Sequence, residues 1–343
     1  MSIHSALRAL AKPKVFLPIV LAGALFFLAI SLGDVGKVLG RIRAIPLPGL
    51  AIALGCAFVY LLFKGLQLHL LLADLGAHPK PRRFLLAFAV GELAVTFPLG
   101  IFAQNWVLSE NDRIRFGRSS AATVVMLLME TCVVLLWLAV VGIPNWPPLR
   151  PLAGCLLLVI AALVFSVLRF EPFAQKFADK VRHEKLHKAM DEAIGLIRGL
   201  KRLAGWRVLW VNLLITAVYL GALIAAFVAI GHGVGLDKLT YMQAATIYGF
   251  SLAAVLLTGG LSGQIGTIEV IGMNAARGWG IGYTDGLALM LGFRVAWTGA
   301  MWLWNGPVVL AFWHRLHGKA RRRREQRQAR QSQRESSSPN PRY

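Results

Sequence analysis

Six ionisable side chains lie inside stretches of the sequence that are otherwise apolar. They are Lys64, Glu92, Glu130, Glu269, Arg277 and Arg294. A charge inside a membrane span is expensive, so such residues either mark a binding site or pair with one another to hold helices together. The sequence leaves both alternatives open, and Glu269 with Arg294 is one such pair. For Lys64 and Arg277 a further alternative is that their long side chains snorkel to a membrane surface.

Glu269 belongs to a glycine-rich stretch, LLTGGLSGQIGTIEVIG, at 256–272. Glycine is a poor helix former, and irregular backbone at membrane depth is tolerated only where protein buries it or where it lines a cavity. We therefore expect a bend at Gly263 and Gly266, at least one of which needs positive φ or a close backbone approach. The helix resuming near Thr267 would point its positive N-terminus at the cavity. Alternatively, the glycines only permit close helix packing.

Membrane helices must position these residues. Of the 343 residues, 57% are hydrophobic and 15% charged, and the apolar residues form blocks of about 20, the length that crosses a bilayer. Pro98 and Gly100 interrupt one block, at 84–108, and another, at 243–281, is too long for a single span. The expected fold class is an all-α polytopic membrane protein with about six to eight transmembrane helices and two re-entrant or broken hairpins.

The distribution of basic residues gives this fold an orientation. If the block at 84–108 enters and leaves on one side, 29 Lys and Arg residues lie on one face of the membrane and five on the other. By the positive-inside rule the richer face is cytoplasmic, and it carries both termini. For the basic segments to stay on that face, the block at 243–281 must also cross the membrane an even number of times. The two halves then have opposite orientations. Such inverted repeats are typical of transporters.

The blocks divide the chain into six parts. These are a cytoplasmic N-terminus at 1–14, a first membrane half at 15–142, a linking loop with the helix that starts the second half at 143–170, a cytoplasmic segment at 171–206, the remainder of the second half at 207–313 and a tail at 314–343. The segment at 171–206 has apolar residues at helical spacing among Lys and Arg, which predicts one or two amphipathic helices on the anionic cytoplasmic leaflet. The polar, aperiodic tail at 314–343 is expected to be disordered.

Little in the sequence indicates other chemistry. The cysteines, Cys56, Cys132 and Cys155, show neither CxxC nor Cys/His spacing, so neither a disulfide framework nor a zinc site is indicated. His183 and His187 have i,i+4 spacing, which a solvated basic face explains better than a metal. Walker, dinucleotide, HExxH and GxSxG motifs are absent, so no catalytic residue, metal or cofactor is expected. The net charge of +21 concentrates in loops and the tail, which argues against a nucleic-acid partner.

Several segments resemble a known family. LSGQIGTIEV (261–270), GWGIGYTDGLAL (278–289) and GFRVAW (292–297) resemble the C-terminal half of the lysylphosphatidylglycerol synthase transmembrane-region family, a flippase-like domain. The family pattern of glycines, a glutamate and an arginine falls on Gly263, Gly266, Glu269 and Arg294, whereas Ser262 stands where the family usually has proline. LAVTFPLG (93–100), with Glu130 in LLMETC, looks like the family's other signature region.

The resemblance implies an inner-membrane protein that translocates or transports a lipid, such as a phospholipid, a hopanoid or another envelope lipid. It implies a stand-alone member without the aminoacyl-transferase domain, because the hydrophilic stretches are only about 35 and 26 residues long. Membrane lipids are then the partners, and no enzymatic activity is expected. The alternative is a non-transporting scaffold that presents a lipid to a biosynthetic enzyme. A membrane-embedded transferase would need a base or nucleophile that no pattern identifies, and the sequence indicates no oligomeric state.

The substrate site is expected at the midplane, in a cavity between the two halves that the hairpins floor and that admits a lipid headgroup. Its predicted polar lining is Glu92, Gln104, Asn105, Gln264, Thr267, Glu269 and Arg294. The bends that shape it are predicted at Pro98, Gly100, Gly263 and Gly266.

Overall fold

The described part of the chain is entirely helical apart from its turns. The computed structural model describes residues 33–95, 100–112, 114–169, 184–257 and 266–336, with Phe27, Ser31 and Gln175 as single residues. Over these residues eleven α-helices follow one another: α1 Val35–Arg43, α2 Leu47–Asp74, α3 Pro81–Ala94, α4 Ala103–Asp112, α5 Phe116–Val140, α6 Leu149–Arg169, α7 Glu184–Leu203, α8 Trp206–Gly233, α9 Tyr241–Leu257, α10 Thr267–Arg277 and α11 Tyr283–Ser336.

Five of these helices are long and apolar enough to cross a bilayer: α2, α5, α6, α8 and residues 283–312 of α11. The shorter α9 is also apolar. This confirms the prediction of a polytopic helical membrane protein. The predicted N-terminus at 1–14 and nearly all of the first apolar block, at 15–33, lie outside the described residues.

Both interrupted blocks form pairs of short helices. In the first, α3 and α4 have 14 and 10 residues and pack against each other, with a 3-10 helix at Gly100–Phe102 before α4. In the second, α9 and α10 have 17 and 11 residues and also pack together. Each of these helices is shorter than the roughly 20 residues that a full span needs. The segments that join them include 96–99 and 258–265, which lie outside the described residues.

The two membrane halves have the same arrangement of helices. In chain order, α2, α3, α4 and α5 correspond to α8, α9, α10 and α11, and the contacts match: α2 packs on α8, α5 on α9, and α11 on α3. Helices α2 and α8 run antiparallel, because a Cβ on Gly49 would lie 3.4 Å from the Ala229 carbonyl oxygen, whereas Gln67 bonds to Thr216 farther along. Corresponding helices of opposite direction make an inverted repeat.

The last helices of the two halves begin at opposite ends of the bundle. Helix α5 begins beside the end of α2, where the Arg118 guanidinium donates a hydrogen bond to the Leu75 carbonyl oxygen. Helix α11 begins beside α1, where Arg41 and Asp285 form an ion pair at 2.7 Å. The end that carries residues 75–83 and 114–118 is rich in Lys and Arg, and we call it the basic end.

Helix α7 lies across the start of α5. Its buried face includes Ile194 and Ile197, while Leu186 is exposed. The Gly117 backbone N–H donates to the Glu192 carboxylate at 2.5 Å, and a Cβ on Gly117 would lie 2.1 Å from the Glu192 carbonyl oxygen. Of the segment at 171–206, residues 184–203 form this helix, which packs on the bundle. Residues 171–174 and 176–183 lie outside the described residues.

Helix α11 continues past the membrane block as far as Ser336, where disorder was expected for 314–343. Low hydrophobicity favours disorder only for a segment that must nucleate its own structure. Here a helix already packed in the bundle needs only to propagate, which is much less costly than nucleation. Ala, Arg, Lys, Gln and Glu, the commonest residues of 319–335, all favour helix. Residues 337–343 lie outside the described residues.

Candidate functional site: a charged cavity between the two halves

Lys64 lies at the centre of the bundle and is only 4% exposed. Its Nζ is 3.3 Å from Oε1 of Glu92 on α3 and 3.3 Å from Oε1 of Glu130 on α5, and it donates a 2.5 Å hydrogen bond to the Tyr60 hydroxyl. Of the alternatives for Lys64, the structure shows internal pairing and not snorkelling. Ten residues separate it from the end of α2 at Asp74, which is about 15 Å along the helix. The ammonium cannot span that distance and is neutralised inside the bundle instead.

Tyr219 brings the second half of the chain to this group. Its hydroxyl donates to Glu130 Oε1 at 2.8 Å, and its ring meets the Tyr60 ring edge to face with centroids 5.3 Å apart. We call Tyr60, Lys64, Glu92, Glu130 and Tyr219 the Lys64 cluster; all five side chains are buried. Buried charges persist where they are paired and hydrogen-bonded, and every member of the cluster meets that condition.

A second charged group lies at the start of α10. Glu269 is completely buried; one carboxylate oxygen accepts the Gly266 N–H at 2.8 Å and the other pairs with the Arg294 guanidinium. Gly266 has φ of +83°, which confirms the prediction that a glycine in this stretch needs positive φ. Of the two alternatives for Glu269 and Arg294, pairing is what the structure shows, although Arg294 also faces the cavity described next.

A cavity separates the Lys64 cluster from Arg294. Its empty volume, with the open solvent at its mouth included, is about 1310 Å³. Its charged wall consists of Lys64, Glu92, Glu130 and Arg294. The remaining wall is apolar and aromatic and comes from both halves, including Leu127, Leu220, Leu223, Tyr248, Leu252, Phe293, Trp297 and Trp302. The space can thus hold a polar group while it contacts apolar chains.

Gly100 allows the first hairpin to close against this cavity. It lines the cavity wall, and a Cβ at this position would lie 1.7 Å from the Ala94 carbonyl oxygen. No other residue permits so close an approach of two backbone segments. The predicted bend at Gly100 therefore has a structural basis, whereas Pro98, Gly263 and the predicted ligand Gln264 lie outside the described residues.

Two residues predicted to bind substrate hold the hairpin in place instead. The side-chain amides of Gln104 and Asn105 both donate to the Thr123 hydroxyl, at 2.9 and 2.8 Å, and neither residue lines the cavity. Asn105 and Glu269 are each the third residue of the second hairpin helix of their half. Each contacts the last helix of its own half, through Thr123 or Arg294. The equivalent positions therefore anchor both hairpins.

Thr267, another predicted lining residue, is buried at the start of α10 and does not line the cavity. Its neighbour Ile268 does. Helix α10 therefore presents an apolar side chain to the cavity and turns its polar residues, Thr267 and Glu269, toward the protein.

Sequence reasoning missed two residues of the site, Tyr60 and Tyr219, and left the role of Lys64 open. One signal was available, because Tyr60 and Lys64 are four residues apart and so lie on the same helix face, near the middle of an apolar block. A cation at that depth indicates an internal partner.

Metal chemistry has no visible support in the described ranges. No group of three or more His, Cys, Asp and Glu side chains that could hold a metal occurs among these residues. His187 pairs with Asp191 at 3.4 Å on an exposed face of α7, and its predicted neighbour His183 lies outside the described residues. The three cysteines are free thiols.

Comparison with known proteins identifies the family of the chain. Comparison with curated proteins gave no match, and comparison with solved structures gave none. The family described as lysylphosphatidylglycerol synthase TM region matches residues 15–304, which include both halves, both hairpins and the whole charged cavity. The chain therefore belongs to the lysylphosphatidylglycerol synthase transmembrane-region family and is a membrane protein of lipid metabolism.

Proposed function

We propose that this protein moves the polar headgroup of a membrane lipid through its central cavity, as a flippase-like transporter. The observation that carries the proposal is a cavity with charged walls inside an apolar helical bundle. A headgroup that enters hydrocarbon loses its hydration, so it needs charged and hydrogen-bonding partners at membrane depth. Lys64, Glu92, Glu130 and Arg294 offer both signs of charge there.

The apolar part of the wall fits the rest of such a substrate. Lipid chains gain nothing from leaving the bilayer, so only the headgroup has to be enclosed while the chains remain among apolar surfaces. Leu220, Leu252 and Trp297 face the same space as the charged residues. Both phospholipids and hopanoids with polar headgroups have this amphiphilic character, and the proposal includes either class or another envelope lipid.

The inverted repeat supports movement rather than static binding. In transporters built this way, the substrate site lies between the halves near the midplane, where interrupted helices meet, and one half rocks against the other. Here the cavity is bounded by α2, α3 and α5 of the first half and by α8, α9 and α11 of the second. Reorienting a headgroup breaks no covalent bond, so the proposal requires no catalytic residue and no cofactor.

The proposed location is the inner membrane with both termini in the cytoplasm. The basic end carries five Lys and Arg residues in 75–83 and 114–118 and five more on α7, and the positive-inside rule places such an end in the cytoplasm. Helix α7 lies at the same end, where its exposed Leu186 and its basic residues suit an anionic leaflet.

Reconstitution tests the proposal. Purified protein in liposomes should carry headgroup-labelled lipids from the inner to the outer leaflet, as measured by accessibility to a membrane-impermeant quencher. Leu223→Trp should block this transport, because Leu223 is buried in the cavity wall and the larger side chain would fill the space. Leu158→Trp on α6 is the matched control, because Leu158 is 72% exposed on a lipid-facing surface.

The alternative function is a scaffold that presents a lipid to a separate biosynthetic enzyme. A scaffold would bind lipid, detectable by mass spectrometry of the purified protein, without moving it between leaflets. Bound lipid that Leu223→Trp displaces, together with no transport by the wild-type protein, would replace the transporter proposal with the scaffold. Transport by Leu223→Trp at the wild-type rate would show that the cavity is not the route.

A further inference from the structure

A chain of polar contacts leads from the Lys64 cluster toward the basic end. The Tyr219 hydroxyl donates to Glu130, and Thr216 lies three residues earlier on the same side of α8. The side-chain amide of Gln67 donates to the Thr216 hydroxyl at 2.9 Å and to the Asn212 carbonyl oxygen at 3.3 Å. We call Gln67, Asn212 and Thr216 the polar track.

The polar track is buried but not fully satisfied. Gln67 and Thr216 have no exposed surface, and Asn212 is 1% exposed. Over the described part of the chain, Gln67 Oε1 and Asn212 Oδ1 accept no hydrogen bond. Buried polar atoms without a protein partner are normally satisfied by water. Asn212 lies six residues, or about 9 Å, inside the start of α8, so little protein separates the track from solvent at the basic end.

The Lys64 cluster, which lies at the end of the polar track, has more negative than positive groups. In the Lys64 cluster two carboxylates face one ammonium, so with all three ionised the cluster carries one net negative charge. The other ionisable groups around it do not supply the missing positive charge. Tyr60, Tyr219 and Tyr248 are neutral hydroxyls, and Arg294, the other cation that the described residues place in the cavity wall, is paired with Glu269.

A net charge buried at this depth requires a counter-charge. One proton added to either carboxylate would bring the cluster to neutrality without moving any helix. The Tyr219 hydroxyl already bonds Glu130, which is the carboxylate at the end of the track, and both Glu130 and Glu92 line the cavity.

We propose that the Lys64 cluster is a proton-binding site filled from the basic end through the polar track, and that proton binding drives lipid movement. The coupling rests on the proposed transport function, but the binding does not. In the binding step a hydronium ion at the basic end gives up a proton and becomes water. An O–H bond forms on Glu130 or Glu92, and the cluster changes from one net negative charge to neutral.

Proton binding can be measured without transport. Infrared difference spectra of purified protein, recorded as the pH is varied, should show a protonated carboxyl carbonyl band that appears on acidification. The band should be lost in Glu130→Gln or in Glu92→Gln. A band that persists unchanged in both variants, or the absence of any pH-dependent carboxyl band in the wild type, would overturn the binding site.

The track is tested in liposomes with a pH gradient across the membrane. Labelled-lipid movement should be faster with a gradient of one sign than of the other, and Gln67→Leu should lose this dependence because its amide is removed. Thr216→Val is the second variant, in case the first does not fold, and keeps the shape while removing the hydroxyl. Thr131→Val is the matched control, because Thr131 is also buried, follows Glu130 in the sequence, and donates its hydroxyl hydrogen bond to Leu127 of its own helix.

The outcomes separate the two proposals. Lipid transport that does not depend on the pH gradient would overturn proton coupling but not the transport function. The same holds for transport that is lost when sodium is exchanged for choline. Equal loss of coupling in Thr131→Val and Thr216→Val contradicts the track. No lipid movement under any gradient contradicts the transport function, whereas the infrared titration still decides the proton site.

Discussion

Tyr60 and Tyr219 occupy the same place in the two halves of the molecule. Each lies 13 residues after the first residue of a 28-residue helix, and their rings meet edge to face at the centre of the bundle. Their partners differ, because Lys64 follows Tyr60 by one turn and the apolar Leu223 follows Tyr219 by one turn. The repeat therefore sets the geometry of the site, and divergence between the halves sets its charge.

Replacing the central cation should destabilise the fold strongly. Lys64→Met leaves the Glu92 and Glu130 carboxylates buried without a counter-charge, which costs about 3–5 kcal/mol for a broken buried pair. Thermal unfolding in detergent should show this loss. The triple variant with Glu92→Gln and Glu130→Gln should recover much of it, because no charge is then left unpaired. Equal stability of Lys64→Met and wild type would mean that water reaches the Glu92 and Glu130 carboxylates and solvates their charges.

The pair of Glu269 and Arg294 offers a separate test of charge. Glu269→Gln should lower the unfolding temperature even though glutamine can still accept the Gly266 N–H, because the change leaves the Arg294 guanidinium unneutralised. Adding Arg294→Gln should restore stability. A double-variant cycle measures the coupling between the two positions, and a coupling near zero would contradict the ion pair.

The positive φ at Gly266 makes a prediction that depends on backbone alone. Gly266→Ala should cost about 1–3 kcal/mol in unfolding free energy, because a side chain strains this conformation. Gly299→Ala is the matched control, since Gly299 lies in α11 with open space around it. That substitution should be neutral or slightly stabilising. Equal stability of the two variants would show that the hairpin does not need the bend.

A clash at Gly100 gives the corresponding prediction for the first hairpin. Gly100→Ala would push a Cβ into the Ala94 carbonyl, so the hairpin must shift, at a cost of roughly 1–3 kcal/mol, and lipid transport should fall. Gly55→Ala, in open space on α2, should leave both properties unchanged. Unfolding curves and transport assays on the two variants decide the question, and normal transport by Gly100→Ala would argue against a rigid bend.

The hairpin topology can be read with single cysteines in a background without the native three. His78 and Arg115 are exposed on either side of the first hairpin, at the basic end, and Lys238 is exposed at the opposite end. In intact cells, a membrane-impermeant thiol reagent should label a cysteine at 238 but not one at 78 or 115. Labelling at only one of positions 78 and 115 would mean that the hairpin crosses the membrane.

The sequence predicted the helices and hairpins well because both depend on local composition. Apolar blocks of about 20 residues define spans, and the glycines near Gly266 are too unfavourable for an ordinary membrane helix. The orientation of the halves also followed from simple charge counting. These features do not require knowledge of which helix faces contact each other.

The site was harder because it depends on the rotation of each helix about its axis. Nothing local distinguishes Gln104 and Asn105, which bond to Thr123, from residues that face the cavity. The role of Lys64 stays open at the level of sequence, although its depth in an apolar block is visible there. Its partners come from α3 and α5, which lie about 30 and 65 residues away, and a single sequence does not reveal contacts at that separation.

The close approach of Gly117 to Glu192 has a consequence for the order in which the molecule opens. The Gly117 N–H in the first turn of α5 is capped by the Glu192 side chain of α7. Neither helix can therefore fray there without breaking this contact. Amide hydrogens of α7 should therefore exchange with solvent together with those at the start of α5, as one cooperative unit. Glu130 lies farther along α5. If the surrounding lipid loosens α7, the change would therefore be transmitted along α5 to the Lys64 cluster.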